Sequence, residues 1–281
     1  MIIDGKIIAL AIKKSILTDV QKLQKKHLTP QLAIVFCDAN DSIRTYIRQK
    51  QKFGADLGIK VKLIKISKSS SGQSIINRLK ILNKDPDIHV IIIQRPFPFS
   101  LAENILKTLV YPQKDVDSFH PKSSCEAPIA LSVIKILQYV HKLSEKELNF
   151  DDWLSEKKII VIGRGESGGT PIASYFRKHG IPFLQAHSQT KNADSLIAKS
   201  DIIISCVGKP NIVRHDIVKS TAILIGIGLY RKNGALQTDY NQEKIAPRVA
   251  FYTPAPGGVG PVNVSYLFYN LIKVVKLSAS S

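Results

Sequence analysis

The stretch Lys158-Ile-Ile-Val-Ile-Gly-Arg-Gly-Glu-Ser-Gly-Gly-Thr-Pro171 decides the fold that this sequence predicts. Its unbroken apolar run, 159–162, is typical of a strand that is buried on both faces of a parallel sheet. Three glycines then form a G-x-G-x-x-G turn: Gly163, Gly165 and Gly168. Thr170 and Pro171 suit the first turn of a helix. We therefore predict a phosphate-binding turn, because backbone N–H groups and the helix dipole favour an anion there. The alternative is a glycine-rich turn that binds nothing.

The residues around this motif indicate NADP rather than NAD. A dinucleotide-binding fold usually places Asp or Glu about 20 residues further on, where it holds the ribose 2′-hydroxyl of NAD. The second strand, Pro182 to Ser188, ends without an acid. Arg164 lies inside the glycine turn and Ser188 follows the second strand, and a cation with a hydroxyl suits a 2′-phosphate.

Composition narrows the class of protein. The chain has 281 residues, which allow one large domain or two of ordinary size, and 44% of them are hydrophobic. The formal charge of +18 could serve nucleic acid, an anionic surface or acidic small molecules. Because the lysines are spread through almost every segment, we interpret the charge mainly as solvated surface. Its secondary effect is to attract phosphate and carboxylate ligands.

Cysteine usage and hydropathy indicate the compartment. Cys37, Cys125 and Cys206 are odd in number and far apart, which fits neither a disulfide framework nor a zinc site. Asp4 and Lys6 interrupt any signal-peptide core, and no apolar run approaches the ~20 residues of a membrane helix. We expect a cytoplasmic protein without a metal site.

Strand and helix patterns alternate along the chain. The predicted helices are 6–26, 41–57 (with Asn40 or Asp41 as N-cap), 73–82, 102–109, 129–142, 170–179 and 262–276. The predicted strands are 32–36, 61–66, 88–93, 159–162, 182–187, 201–207, 222–227 and 249–252. Residues 111–128 form a long irregular passage, which is often functional, and 144–156 are predicted to be a linker or insertion. This alternation predicts an α/β fold of two lobes, with ligands at the carboxyl ends of the strands.

Six segments carry a family resemblance. They are Tyr46-Ile-Arg-Gln-Lys50, Ile93-Gln-Arg-Pro-Phe-Pro98, Lys114 to Pro121, Val161-Ile-Gly-Arg164, His187-Ser188 and Thr253-Pro-Ala-Pro-Gly-Gly-Val-Gly-Pro261. In order and spacing the chain resembles the bifunctional methylenetetrahydrofolate dehydrogenase/methenyltetrahydrofolate cyclohydrolase family over nearly its whole length. The resemblance implies a folate-binding α/β domain at 1–140, completed by the 262–281 helix, and a Rossmann-type NADP-binding domain at 141–261. It also implies a folate site in a cleft between the lobes, NADP as cofactor, and a homodimer that binds neither nucleic acid nor membrane.

Tyr46 and Lys50 are the first candidate site residues. They lie four residues apart on a predicted helix and therefore share a face. Seen alone they could be an aromatic–cation pair on the surface. The resemblance implies that Tyr46 packs along the folate and that Lys50 is the central catalytic group, which polarises or deprotonates the attacking water. That role needs a lysine pKa lowered by its surroundings.

The resemblance assigns further residues to the site. Gln94 is implied to bond the lysine and Asp117 to grip the amino-pyrimidine edge of the pterin, so the catalytic set is Lys50, Gln94, Tyr46 and Asp117. Seen alone, Gln94 could cap a strand and Asp117 could be a turn carboxylate. The implied substrate-binding set is Tyr46, Asp117, Pro256, Gly257 and Gly258, and those glycines could instead only open a helix. The implied cofactor-binding set is Gly163, Arg164, Gly165, Ser188 and Leu229.

Several positions depart from the family pattern: Ile43, Arg95, Ser118, Ala127, Gly226, Tyr230 and Asn263. Arg95 replaces an apolar residue, Ser118 a glycine and Gly226 an aspartate. If Arg95 lies near Lys50, its charge should lower the pKa of the lysine. The alternatives are a non-catalytic or single-activity relative, an NADP-dependent dehydrogenase of another substrate, and a basic nucleic-acid-binding protein.

Overall fold

The computed structural model describes residues 1–37, 41–67, 69–95, 97, 103–144 and 147–279. The first half of the chain alternates helices and strands: α1 Gly5–Gln24, β1 Gln31–Cys37, α2 Asp41–Asp56, β2 Lys60–Ile66, α3 Gly72–Lys84, β3 Val90–Ile93 and α4 Glu103–Thr108. After a 3-10 turn at Pro112–Lys114 come α5 Pro128–Ser144, α6 Phe150–Ser155, β4 Ile159–Ile162, α7 Gly169–Lys178, β5 Leu184–Ala186, α8 Ala193–Lys199, β6 Ile202–Ser205, β7 Ile223–Gly226, β8 Leu229–Lys232, β9 Ala235–Thr238, α9 Gln242–Ile245, β10 Phe251–Tyr252 and α10 Val259–Ser278. Within those ranges, no helix is long and apolar enough to cross a membrane.

These elements form two compact units. The three-stranded unit comprises Ala11–Pro128 and Val264–Ser281, and the five-stranded unit comprises Met1–Leu10 and Ile129–Asn263. The predicted α/β fold is confirmed, because both sheets are parallel and helices connect most of their strands.

The three-stranded unit holds a parallel sheet in the order β2-β1-β3. Its central strand β1 is almost continuously apolar because it is covered on both faces. The last helix joins this unit through Asn270, whose side-chain amide donates to the carbonyl oxygens of Val116 and Glu126 at 3.0 and 2.8 Å. Asn270 is buried, and it therefore holds the irregular passage at two points, one of them next to Asp117.

The five-stranded unit holds a parallel sheet in the order β10-β7-β6-β4-β5. Its central strands β4, β6 and β7 are buried along their whole length, as their isoleucine-rich sequences require. The crossover from β4 to β5 through α7 places the glycine turn at the carboxyl end of β4, which is where an open α/β sheet binds its ligands.

Residues 144–156, which were predicted to be a linker or insertion, contain the short helix α6. Asn149 caps the helix by accepting bonds from the backbone N–H groups of Asp151 and Asp152 at 3.1 and 3.0 Å. Trp153 and Leu154 of this helix are buried. The five acidic residues of 144–156 made this short helix hard to predict from the sequence. The N-cap candidate Asn40 lies outside the described residues.

The antiparallel hairpin β8–β9 was not predicted from the sequence. Its turn is Asn233-Gly234, and both residues have positive φ, 52° and 77°. That pair is the preferred sequence of a two-residue type I′ hairpin turn. The signal was therefore present, but the flanking strands are short and half-exposed and lack a clear apolar alternation.

Candidate active site

Lys50 is a buried lysine at the centre of the three-stranded unit's candidate site. The inward face of α2 carries Tyr46, Ile47 and Lys50, whereas Arg48 and Gln49 are exposed, as the helical period requires. Only 7% of Lys50 is exposed. Its Nζ donates a hydrogen bond of 3.0 Å to Oε1 of Gln94. The structure therefore brings together two of the predicted residues that are 44 positions apart.

Gln94 is held in place by its position just beyond β3. Its backbone N–H donates to the carbonyl of Val35 on β1 at 2.8 Å, which continues the sheet by one residue. Its side-chain Nε2 donates to the carbonyl of Arg95 at 3.1 Å. With its NH₂ group engaged in this way, the amide oxygen faces the lysine amine.

The charges of Lys50 and Asp117 influence one another. Burial lowers the pKa of Lys50, and the negative charge of Asp117 raises it again. Burial raises the pKa of Asp117, whereas the charges of Lys50 and Arg95 lower it. Burial also raises the pKa of the Tyr46 hydroxyl, so that this side chain stays a neutral ring. The arrangement holds an amine and a carboxylate in a dry environment in which each favours the charged form of the other.

Asp117 is positioned by a neighbouring carboxylate that the sequence analysis did not assign. Asp115 is 3% exposed and accepts hydrogen bonds from the backbone N–H groups of Asp117 at 3.2 Å and His120 at 2.7 Å. Burial raises the pKa of Asp115 to about 6. Ser118, which lies between Asp117 and His120, adopts a left-handed conformation with φ of 60°. Glycine adopts this conformation without strain, which explains why a glycine suits this position. The Asp-x-Asp spacing in an irregular passage was the available signal, because Asp commonly accepts from N–H groups two residues on.

The charge of Arg95 acts on the carboxylate of Asp117. Its guanidinium carbon lies 4.2 Å from the ring centroid of Phe119, in a cation–π contact. Arg95, Asp117 and Phe119 line one small enclosed cavity together with Asp115. The charge of Arg95 lowers the pKa of Asp117, whereas the charge that acts on Lys50 is that of Asp117.

In the five-stranded unit, the glycine turn has the geometry of a phosphate-binding loop. Gly163 has φ of 110°, and its N–H bonds the carbonyl of Ala186 on β5 at 2.8 Å. A side chain on Gly169 would lie 2.1 Å from the carbonyl oxygen of Gly163, so helix α7 can approach the strand only without one. Gly165 faces open space, and no side chain caps the first N–H groups of α7. These features fit a nucleotide phosphate.

Arg164 and Ser188 are brought to one edge of the sheet. In the parallel register, Ile162 of β4 pairs with Ala186 of β5, and Arg164 and Ser188 each follow two residues later. Both side chains are exposed. A cation and a hydroxyl at neighbouring strand ends fit the 2′-phosphate of NADP. Leu229 is half-buried, and its backbone borders Gly208 in the loop after β6.

The predicted substrate-binding residues Pro256, Gly257 and Gly258 lie in the five-stranded unit, whereas Tyr46, Lys50, Gln94 and Asp117 lie in the three-stranded unit. The Pro256 segment is fixed by backbone bonds. The N–H of Gly5 donates to the carbonyl of Gly257 at 2.9 Å, and the N–H of Gly258 donates to that of Pro254 at 2.9 Å. A side chain on Gly258 would collide with the Pro254 carbonyl, so this turn requires glycine.

Comparison with known proteins identifies the family. Residues 3–117 match the family model described as tetrahydrofolate dehydrogenase/cyclohydrolase, catalytic domain, and residues 139–279 match that of the NAD(P)-binding domain. The bifunctional protein FolD of Pediococcus pentosaceus is 31% identical over 286 residues, which cover 99% of each chain.

Solved structures of similar proteins agree with this match. The bifunctional FolD enzyme from Campylobacter jejuni has a TM-score of 0.89 at 26% identity and covers 99% of both chains. The Trypanosoma brucei FolD enzyme, solved with NADP and an inhibitor, has a TM-score of 0.87 at 26% identity and covers 100% of this chain and 99% of its own. This chain belongs to the tetrahydrofolate dehydrogenase/cyclohydrolase family.

Proposed function

We propose that this protein oxidises 5,10-methylenetetrahydrofolate to 5,10-methenyltetrahydrofolate with NADP and hydrolyses the product to 10-formyltetrahydrofolate. The observation that carries the proposal is the buried Lys50 amine, bonded to Gln94 and influenced by the charge of Asp117. Relatives that match 99% of the chain are bifunctional enzymes, and one similar structure holds NADP. In this proposal Lys50 is the water-activating group and the glycine turn after β4 is the dinucleotide-binding turn.

Lys50 is assigned to the hydrolytic step. Water adds to the electrophilic methenyl carbon as the C=N π electrons move to nitrogen, and the oxygen must lose a proton as the new C–O bond forms. The bond from this carbon to N5 then breaks, N5 takes up a proton and the hydroxyl loses one, which leaves the formyl group on N10. Burial lowers the pKa of Lys50, which increases the fraction of neutral amine that can accept this proton. Because one N–H of the amine is donated to Gln94, its lone pair is left for the water.

Asp117 and Tyr46 are assigned to substrate binding. An ionised carboxylate in a dry site accepts strong, oriented hydrogen bonds from the N–H donors of the amino-pyrimidine edge. The Tyr46 ring, on the same face of α2 as Lys50, offers a flat apolar surface for the pterin. Asp117 serves both reactions, because both begin with the pterin bound.

The five-stranded unit is assigned to the cofactor. When bound, NADP accepts the hydride; the residues of this chain orient the two rings and need transfer no proton in that step. Gly163 and Gly165, which carry no side chain, would let the pyrophosphate approach the backbone of the turn closely, and Arg164 and Ser188 would hold the 2′-phosphate. Leu229 would border the cofactor, and Pro256, Gly257 and Gly258 would close over the folate.

Three further assignments stay predictions of the family resemblance. Residues 1–140 with 262–281 would form the folate-binding domain and 141–261 the NADP-binding domain. The protein would be a cytoplasmic homodimer.

One assay decides between the proposal and its alternatives. The purified protein is incubated with 5,10-methylenetetrahydrofolate and NADP, and NADPH and methenyltetrahydrofolate are followed separately in neutral solution, without an acid quench that would convert 10-formyltetrahydrofolate back to the methenyl form. NADPH must accumulate, whereas methenyltetrahydrofolate must be formed and then consumed. Folate binding without NADPH production would instead indicate a non-catalytic relative.

Lys50→Met removes the amine and keeps much of the stem volume. We expect cyclohydrolase activity to fall by at least ~100-fold, the usual scale for a lost acid–base group, while some dehydrogenase turnover remains. Methenyltetrahydrofolate should therefore accumulate in a coupled assay. Both activities are measured in one preparation, with the exposed Lys52→Met as control. Hydrolysis by Lys50→Met at the wild-type rate would remove Lys50 from the mechanism.

Asp117→Ala removes the proposed pterin anchor. Dehydrogenase and cyclohydrolase should lose kcat/KM together, by roughly 10- to 100-fold, because a hydrogen bond to a charged group contributes about 1.5–3 kcal/mol. The exposed Asp87→Ala is the matched control in the same unit. Loss of only one activity would contradict a shared anchoring role.

Arg95→Leu tests the charge that acts on Asp117. Without the guanidinium the pKa of Asp117 rises, so the carboxylate stays ionised only at higher pH. The acidic limb of kcat/KM should therefore move to higher pH in both reactions, because Asp117 serves both. Arg95→Lys keeps the charge and should move the limb less. A shift confined to the cyclohydrolase would instead assign the charge to Lys50.

Arg164→Ala tests the choice of cofactor. NADP should be preferred by the wild type, and the variant should lose kcat/KM for NADP by roughly 5- to 150-fold, since a charge-assisted contact is worth about 1–3 kcal/mol. Its kcat/KM with NAD should change little. The exposed Lys178→Ala, at the other end of α7, controls for net charge. Equal use of both cofactors by the wild type would show that Arg164 has another role.

A further inference from the structure

Gly226, at the end of β7, has no room for a side chain because Tyr240 occupies the space. A Cβ on Gly226 would lie 2.7 Å from the Tyr240 hydroxyl oxygen and 2.8 Å from Cε1 of its ring. Both distances are well inside van der Waals contact, which is about 3.5–4.0 Å between carbon atoms. Tyr240 is 2% exposed and packs in the core of the five-stranded unit. A side chain at position 226 and a tyrosine at position 240 therefore exclude one another.

The Tyr240 hydroxyl donates a hydrogen bond to the carbonyl oxygen of Thr253. Burial raises the pKa of this hydroxyl, so it keeps the proton that it donates. Thr253 closes the arrangement, because its Oγ1 accepts the N–H of Gly226 at 2.8 Å and its own N–H donates to Leu224 at 3.0 Å. The end of β7, Tyr240 and Thr253 are thus joined by buried hydrogen bonds.

Gln242, two residues beyond Tyr240, holds the next part of the same segment. Its Nε2 donates to the carbonyl of Ala255 at 3.1 Å, and its Oε1 accepts the N–H of Ala255 at 2.8 Å. Such a two-point contact fixes orientation as well as position. Tyr240 and Gln242 together therefore fix Thr253 and Ala255, immediately before Pro256, Gly257 and Gly258.

We propose that Tyr240 and Gln242 are positioning residues that set the Thr253–Gly258 segment for folate binding, and that Tyr240 replaces the side chain that the family pattern places at position 226. Neither residue is assigned to contact the folate, so both act through the backbone of the segment. The part that concerns folate rests on the function proposed above for Pro256, Gly257 and Gly258. The part that concerns the segment rests only on the contacts of Gly226, Tyr240, Gln242 and Thr253.

Tyr240→Phe removes the hydroxyl and keeps the ring. Amide hydrogen exchange of a peptide containing 253–258 should quicken by about 3- to 10-fold, the equivalent of one net hydrogen bond. The KM for 5,10-methylenetetrahydrofolate should rise by a similar factor, with kcat and the KM for NADP nearly unchanged. Gln242→Leu should have the same effects on exchange and on the folate KM. Gln242→Asn keeps the amide on a shorter side chain, so its effects should lie between those of Gln242→Leu and the wild type.

Ile197→Val, a buried truncation in α8 of the same unit, is the control for a general loss of stability. It should lower the denaturation midpoint comparably and leave the folate KM unchanged. Unchanged exchange in Tyr240→Phe would overturn the positioning role. If the wild type turns folate over, faster exchange in Tyr240→Phe with an unchanged folate KM would overturn the role of Tyr240 in folate binding. A wild type without folate turnover would overturn the proposed function, while the exchange result would still judge the positioning role.

The mutual exclusion has its own test, which needs no enzyme assay. Gly226→Ala should sharply reduce stability in the wild-type background, because the new Cβ meets the Tyr240 ring. In a Tyr240→Val background the same change should be much less harmful, so the two penalties should fail to add. Additive penalties in the double variant would show that Tyr240 does not occupy the space at position 226.

Discussion

The proposed chemistry depends on an amine that is buried without a prohibitive loss of hydration free energy. An ammonium group removed from water is destabilised, and the usual response is a lowered pKa and a larger neutral fraction. The pKa of Lys50 shows that response, which the charge of Asp117 opposes, while Gln94 accepts a hydrogen bond from the amine. Burial and Asp117 therefore act in opposite directions on the protonation of the amine. A better-solvated lysine would stay charged, and one without Asp117 would be driven further toward the neutral form.

That balance explains why distant parts of the three-stranded unit are tied together. Gln94 is aligned by its bond to Val35 on β1, and Asp117 is aligned by Asp115, which accepts two backbone N–H groups around it. The irregular passage is in turn held by Asn270 of α10. Each of these contacts is made by a polar group whose hydrogen-bond partners are present. Under that condition such groups stabilise a single arrangement.

Much of the fold could be predicted because it is encoded locally. The buried strands Ile159–Ile162, Ile202–Ser205 and Ile223–Gly226 lie within apolar runs, and the four-residue spacing of Tyr46 and Lys50 places both on one helix face. The partnership of Lys50 with Gln94 could not be derived from spacing, because it joins residues from different elements; the family resemblance supplied it. The contact of Arg95 with Phe119 could not be derived for the same reason, since sequence adjacency to Gln94 does not determine where a long side chain points.

The departures from the family pattern are intelligible when each is considered with the residue that it contacts. Ser118 takes a left-handed conformation that the bonds to Asp115 hold in place. Arg95 is accommodated at an apolar position because it stacks on Phe119 and faces Asp117. Gly226 is accommodated because Tyr240 fills the space and bonds Thr253. At these three positions the site requires a backbone conformation, a neutralised charge and a filled volume, respectively. More than one residue type can meet such a requirement when a contacting residue changes as well. A substitution in such a site therefore has to be judged against its contacts and not against a motif alone.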